Sequence, residues 1–231
     1  MRKIDNGVFD FSSVSFIDNN WATLILLVAL LLLTINAVVY RRKFVLSLQC
    51  LYSNRAFSQL SKEGKLFSEG TFIFSLPFIL LSVSLCIKQL CSSYFSPLNE
   101  SMGYMHFFGL LSVAVIGFFL LRLIIDFFLF ELFDCPAERY GFHTIGFSFW
   151  LNSSLVLLLT EVIVQYTNFQ NFYFFSLLII SGLFLLKVYK NFVFKSTRVN
   201  LFQFFMYFCT LEILPYAVLV KLLFLLGNKG F

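Results

Sequence analysis

Six long apolar runs constrain this chain more than any other feature of its sequence. Each run approaches or exceeds the ~20 residues that an α-helix needs to cross the hydrocarbon core of a bilayer. The sequence lacks the alternating ten-residue pattern of a membrane β-barrel. We therefore predict an all-α polytopic membrane helical bundle in one domain, residues 1–231, with spans at about 21–40, 71–90, 107–130, 143–166, 169–186 and 201–226.

The composition agrees with a bundle that lies mostly within lipid. Hydrophobic residues make up 59% of the chain and charged residues 13%, and the mean hydropathy is +0.86. A soluble domain has roughly half apolar and about a quarter charged residues. These values exclude a water-soluble enzyme, a disordered chain and an array of polar repeats. The first run is not a cleaved signal peptide, because Arg41, Arg42 and Lys43 close it as in a stop-transfer segment.

The distribution of basic residues predicts the orientation of the spans. Cytoplasmic loops of membrane proteins carry an excess of Lys and Arg. Eleven such residues fall on one predicted side and three on the other. The eleven are Arg41, Arg42, Lys43, Arg55, Lys62, Lys65, Arg139, Lys187, Lys190, Lys195 and Arg198, and the three are Arg2, Lys3 and Lys229. We predict both termini outside the cytoplasm, on the periplasmic side if the membrane is a bacterial inner membrane, and the basic loop of residues 41–70 in the cytoplasm.

Two loops have more than one interpretation. In the 41–70 loop, Phe44, Leu48, Leu51 and Tyr52 recur near one face, which indicates either a helix lying on the cytoplasmic leaflet or an extension of the first span that then turns. The rest of that loop is predicted to be a solvated turn. The loop of residues 131–143 contains acidic residues, a cysteine and a histidine, but Pro136 is expected to break any helix that would align them. A solvated connection is favoured there over a metal site.

Glu212 is the carboxylate placed nearest the centre of a predicted span. Cys209 shares its face, and Pro215 removes a backbone donor three residues further on. An ionisable group inside a span is expensive and usually faces protein or water. A buried contact between helices is the favoured role, and proton or cation transport is the alternative.

Four other ionisable residues lie within or near the spans. Arg122 and Asp126 are four residues apart, so they face the same way and are expected to pair, and Arg122 is also the expected donor for Glu212. Glu161 and Lys88 are both expected toward the outer side, where they would pair.

The fourth predicted span carries polar residues on two sides. A stripe of His143, Trp150, Ser154, Glu161 and Gln165 falls on one face and predicts contact with protein. A second row consists of Thr144, Ser148 and Asn152. The face that includes Val156 and Ile163 is expected to meet lipid.

Motifs of known chemistry are absent from the sequence. The five cysteines are scattered without a CxxC pair, and no phosphate loop, dinucleotide-binding motif or protease signature is found. We therefore predict no cofactor and no metal. The basic charge belongs to loops that flank spans, so nucleic acid is not an expected partner.

Residues 207–215, YFCTLEILP, followed by Lys221, resemble the terminal motif of a family of uncharacterised multi-pass inner-membrane proteins of Bacteroidota, known as a domain of unknown function. The resemblance implies a bacterial inner membrane and singles out Glu212, but it implies no reaction. The leading hypothesis is a non-enzymatic membrane subunit that binds or organises another envelope protein. The alternative is a small transporter or proton-coupled component that uses Glu212.

Overall fold

The computed structural model describes residues 20–63, 70–94, 104–132, 136–167 and 172–194, and each of these ranges is helical, with no strand among them. The helices are α1 (Asn20–Val39), α2 (Arg41–Gln49), α3 (Asn54–Glu63), α4 (Gly70–Tyr94), α5 (Tyr104–Leu132), α6 (Pro136–Thr167) and α7 (Phe172–Phe194). The prediction of an all-α membrane bundle is confirmed.

Five of the described helices are long and apolar enough to cross a membrane: α1, α4, α5, α6 and α7. They correspond to the first five predicted spans, so the chain is a multi-pass membrane protein. The sixth predicted span, 201–226, lies outside the described residues.

Helix α6 is the centre of the described bundle. It packs against α2, α3, α4, α5 and α7, whereas α1 packs mainly on α4 and α2. Half of the residues in the apolar stretch of α6 are buried, compared with 17% of those in the apolar stretch of α5. The main core forms where Leu151 and Leu158 of α6 meet Phe78 and Ile79 of α4.

A close approach joins α1 and α4 at the end of the bundle that carries α2 and α3. The ring of Tyr40 occupies the space beside Gly70, so a side chain at position 70 would force that ring to shift. Asn36, which is 1% exposed, donates to the carbonyl oxygen of Thr71 at 3.3 Å and to the hydroxyl of Ser75. We call this end the basic end, because Arg41, Arg42 and Lys43 follow α1 directly.

The start of the 41–70 loop agrees with the second interpretation of its sequence, because helical bonding continues from α1 through Tyr40 into α2 and the chain then turns. Residues 41–63 fold into α2 and α3, and the turn between them inserts Cys50 and Leu51, both fully buried, against α6 and α7. Tyr52 follows the end of α2 and is 58% exposed, but its hydroxyl donates to Oδ1 of Asn152 on α6 at 3.5 Å. The segment is therefore a helical hairpin packed on the bundle, which we call the basic hairpin (residues 41–63).

Two further boundaries correct the sequence predictions. Pro136 begins α6 instead of breaking a helix, because the first helical position needs no amide donor. Helix α7 runs to Phe194, well beyond the predicted end at residue 186. Lys187 and Lys190, which were assigned to a loop, therefore lie in the last turns of that helix, and the predicted basic count on that side falls from eleven to nine.

Candidate functional site

A cavity of about 130 Å³ lies between α4, α5 and α6, and Asn191 of α7 also lines it. Apolar side chains form most of its wall, including Phe72, Leu76, Ile79, Leu80, Ile116, Phe119, Leu120 and Leu123. Its polar lining consists of Arg122, Asp126, His143, Trp150 and Asn191.

Three contacts between helices define the register along the cavity. They are Asp126 to His143 at 3.6 Å, Phe72 to Phe147 at 5.4 Å between ring centroids, and Phe119 to Trp150 at 4.9 Å between ring centroids. Residues 72, 126 and 143 therefore lie toward the basic end. Residues 80 and 116 lie eight to ten positions deeper, which is roughly 12–15 Å at 1.5 Å per residue.

Arg122 and Asp126 both face into this cavity. They are 9% and 4% exposed, and their spacing of four residues places them on the same side of α5. Asp126 reaches across to α6, where its Oδ2 lies 3.6 Å from Nδ1 of His143. The structure thus brings together two residues singled out for α5 and the first member of the α6 stripe.

Several buried polar atoms of the residues that line the cavity have no hydrogen-bond partner among the described residues. They include the indole Nε1 of Trp150, a donor, and Oδ1 of Asn191, an acceptor. A buried polar group without a partner costs roughly 1–3 kcal/mol. These atoms have almost no accessible surface, so they lie behind the wall of the cavity and do not face its open space.

A second polar cluster lies at the opposite end of the bundle. Tyr173 of α7 donates from its hydroxyl to Oε1 of Glu161 at 3.0 Å, and Lys88 interacts electrostatically with the same carboxylate. The Nζ of Lys88 also lies 4.6 Å from the centre of the Trp21 ring, as in a cation–π contact. Lys88 and Glu161 are each 5% exposed, so the structure places these two candidates together in a buried network that joins four helices.

An apolar layer separates the two clusters. His143 and Glu161 are eighteen positions apart on α6, roughly 27 Å along the helix. Between them Leu151 and Leu158 pack with Phe78, and each is at most 2% exposed. Among the candidates from the sequence that the structure describes, Arg122 and Asp126 therefore belong to one group and Lys88 and Glu161 to another.

The stripe on α6 is buried as its spacing predicts. Ser154 is fully buried and Glu161 nearly so, but the opposite side is also covered in places. Val156 packs against the core at the basic hairpin, which contradicts its expected contact with lipid. The reason is that the basic hairpin and α7 occupy that side of α6.

The basic hairpin depends on residues that the sequence did not single out as a site. Nδ2 of Asn152 donates to the carbonyl oxygen of Leu48 at 3.1 Å, and Nζ of Lys190 donates to Oδ1 of Asn54. Burial raises the pKa of Cys50 to about 12, with Lys190 opposing the shift. The position of Asn152 in the second polar row of α6 was the only sequence signal for this contact.

Glu212, Cys209 and Pro215 lie outside the described residues, as does any contact between Glu212 and Arg122. Among the residues that the structure does describe, no group of three His, Cys, Asp or Glu side chains is arranged to hold a metal ion.

Comparison with known proteins gives a family and no function. The model of a family described as a domain of unknown function, DUF4271, matches residues 22–223. No curated protein and no solved structure matches the chain.

Proposed function

Since the chain belongs to the DUF4271 family, which carries no assigned activity, we propose from its own geometry that it is a non-enzymatic membrane subunit that binds another membrane or envelope protein. The observation that carries the proposal is the basic hairpin. A loop that only connected two spans would not need a fixed structure, yet this one is bonded to two helices of the bundle.

The outward side of the basic hairpin has the composition of a binding surface. Arg41, Arg42 and Arg55 are exposed on the basic hairpin, and more than half of the surface of Tyr52 is accessible as well. Arg and Tyr are enriched at protein interfaces and among the residues that dominate binding energy. The excess of positive charge selects a partner with an acidic face, whose attraction would weaken as salt is added.

The surroundings of the ionisable residues support binding over transport. The two polar clusters are used for contacts between helices, and an apolar layer separates them. We also infer that the membrane is the inner membrane of a bacterium, as the resemblance of residues 207–215 to proteins of Bacteroidota implies. With both termini periplasmic, the basic hairpin would meet its partner in the cytoplasm.

Site-specific photo-crosslinking in native membranes tests this proposal. A photoreactive residue at Tyr52 or Ser58, both exposed on the basic hairpin, should give a discrete adduct with one protein. The matched control is Leu159, which is 63% exposed on the membrane face of α6 and should give no such adduct.

Charge reversal supplies the second half of the test. Arg55→Glu should reduce the adduct at Ser58 at an unchanged level of the protein, because an acidic partner would then be repelled. Adducts with lipid alone at Tyr52 and Ser58, or an adduct that is insensitive to Arg55→Glu, would refute an acidic protein partner.

A further inference from the structure

Around the circumference of α6, helix α5 lies between α4 and α7. The ring of Phe147 on α6 contacts α4, that of Trp150 contacts α5 and that of Phe149 contacts α7. Successive residues of a helix are turned by about 100°, so Trp150 projects between the other two rings. The three neighbours of α6 therefore follow in the order α4, α5, α7.

One side of α5 faces α4 and the other faces α7. Ile116 and Leu123 share the side that lines the cavity beside α4. Arg122 is turned by about 100° from Leu123, away from α4, and helical spacing continues its side through Phe118 and Ile125. Since α7 is the next helix in that direction, Arg122 lies on the side of α5 that faces α7.

Helix α7 turns a matching side toward α5. This side includes Asn191, which lines the cavity together with residues of α5, and it continues through Val188 and Phe184 at steps of three and four residues. Helix α7 packs mainly on α6, and α5 mainly on α4, so the two helices leave a groove between them. We call it the α5–α7 groove, with Phe118, Arg122 and Ile125 on one wall and Phe184, Val188 and Asn191 on the other.

The chain leaves α7 at the basic end, within reach of this groove. Helix α7 ends at Phe194, one turn beyond Lys190, which bonds to Asn54 of the basic hairpin. Residues 195–200 connect it to the predicted span at 201–226, and they can bridge at most about 25 Å. Neighbouring helices are about 8–10 Å apart. A span that starts here runs antiparallel to α7 and can lie beside it.

The depth of Glu212 in that span matches the depth of Arg122. The contacts among α5, α6 and α7 place Arg122 level with Lys187. That level is about 11 Å from the end of α7 at Phe194, at 1.5 Å per residue. Glu212 is about 17 Å from residue 201 on the same scale. The two depths differ by roughly one helical turn, which the long arginine side chain can bridge.

The charges at this level favour a carboxylate. Arg122 and Lys187 are both buried, and Asp126 is the described carboxylate beside them. Among the described residues, this level of the bundle thus carries two positive charges and one negative charge. A carboxylate near the middle of a span is itself costly unless it faces protein or water. An ion pair within the groove meets both requirements.

We propose that residues 201–226 pack as a helix in the α5–α7 groove and that the carboxylate of Glu212 forms an ion pair with the guanidinium group of Arg122. The face of this helix that bears Glu212 also bears Cys209 and Tyr216, one turn to either side, and it lies against α5 and α7. A charged contact in the interior thereby fixes the last span to the bundle. The packing does not depend on the protein partner proposed for the basic hairpin.

Photo-crosslinking within the full-length chain in native membranes tests the packing. A photoreactive residue in place of Phe118 or Val188, one on each wall of the groove, should form an adduct with a peptide from residues 201–226 of the same chain. Peptide mass spectrometry identifies the adduct. The matched controls are Leu120 and Leu186, which lie two residues away on the opposite sides of α5 and α7 and are exposed. Neither should label that segment.

A double-mutant cycle tests the ion pair. Arg122→Gln and Glu212→Gln should each lower the melting temperature of the purified protein by about 3–12 °C, because the remaining charge stays buried without its partner. The double variant should be no less stable than either single variant, since both charges are gone. The control combines Arg122→Gln with Glu161→Gln at the opposite end of the bundle, where the two effects should add.

Two kinds of result would overturn the proposal. Adducts of Phe118 and Val188 only with lipid, with a second copy of the chain or with another protein would show that something else occupies the groove. Labelling of residues 201–226 from Leu120 and Leu186 would also refute the packing, and additive effects of Arg122→Gln and Glu212→Gln would refute the ion pair. The crosslinking variants keep both charges, so their result stands even if a glutamine variant fails to fold.

Discussion

At the scale of single residues, buried charge in this bundle is held by specific neighbours. Glu161 has Tyr173 as a hydrogen-bond donor and Lys88 as an opposite charge, each from a different helix. A buried carboxylate that loses one of these partners retains its desolvation cost without the compensating bond. The pair was expected from sequence, but the contribution of Tyr173 was not.

Removing the hydroxyl of Tyr173 should therefore destabilise the bundle. We expect Tyr173→Phe to lower the free energy of unfolding by about 1–3 kcal/mol, because Glu161 stays buried with one donor fewer. The measurement is the melting temperature of the purified protein in detergent. Tyr189→Phe on the same helix is the control, since Tyr189 is 63% exposed. Equal melting temperatures for the two variants would show that the hydrogen bond to Glu161 does not stabilise the bundle.

At the scale of elements, the basic hairpin and the end of α7 support each other. Asn152 of α6 donates a hydrogen bond to the carbonyl oxygen of Leu48, near the end of α2. Lys190 of α7 donates to the side chain of Asn54, the first residue of α3. Lys187 of α7 is only 1% exposed. Its buried ammonium group is stabilised by the rings of Phe149 and Phe184, which lie near it. Cation–π contacts of this kind are strongest where water is excluded.

Loosening the attachment of the basic hairpin should open it to proteolysis. We expect Asn152→Ala to speed trypsin cleavage after Arg55 by about 2- to 10-fold, because the loss of its hydrogen bonds to Leu48 and Tyr52 raises the population of the opened hairpin. Cleavage is followed by peptide mass spectrometry in detergent. Thr167→Val is the control, because the hydroxyl of Thr167 bonds only within α6, to the carbonyl of Ile163. An unchanged rate in Asn152→Ala would mean that the hairpin is held by its buried apolar residues alone.

At the scale of the whole molecule, the asymmetry of charge predicts the orientation in the membrane. After Lys187 and Lys190 are assigned to α7, nine basic residues remain on the predicted cytoplasmic side and three on the opposite side. The basic hairpin carries most of this excess. Orientation is decided mainly by Lys and Arg in short loops next to spans.

Cysteine labelling from outside the cell tests this orientation. In variants with one introduced cysteine, Ser12→Cys should react with an impermeant maleimide in intact cells. Ser61→Cys, on the basic hairpin, should react only after the membrane is permeabilised. The opposite pattern would invert the topology and place the basic hairpin in the periplasm.

The sequence alone determined the class of the protein and the approximate place of the spans. Hydropathy is summed over neighbouring residues, so a run such as residues 21–39 can be recognised without knowledge of its neighbours in space. The same holds for the face that Arg122 shares with Asp126, which follows from helical spacing. Boundaries were less well predicted, because a lysine such as Lys187 can remain in a helix when aromatic rings from the bundle cover it.

Only the tertiary structure decided which polar residues meet and where space is left. Helical spacing orients a side chain around its own axis, but the rotation and register of neighbouring helices select its partner. This is why Asp126 lies beside His143, why Asn152 holds the basic hairpin, and why the cavity opens at Gly146. Each of these features joins residues far apart in the chain, and no local pattern of apolar and charged residues contains that information.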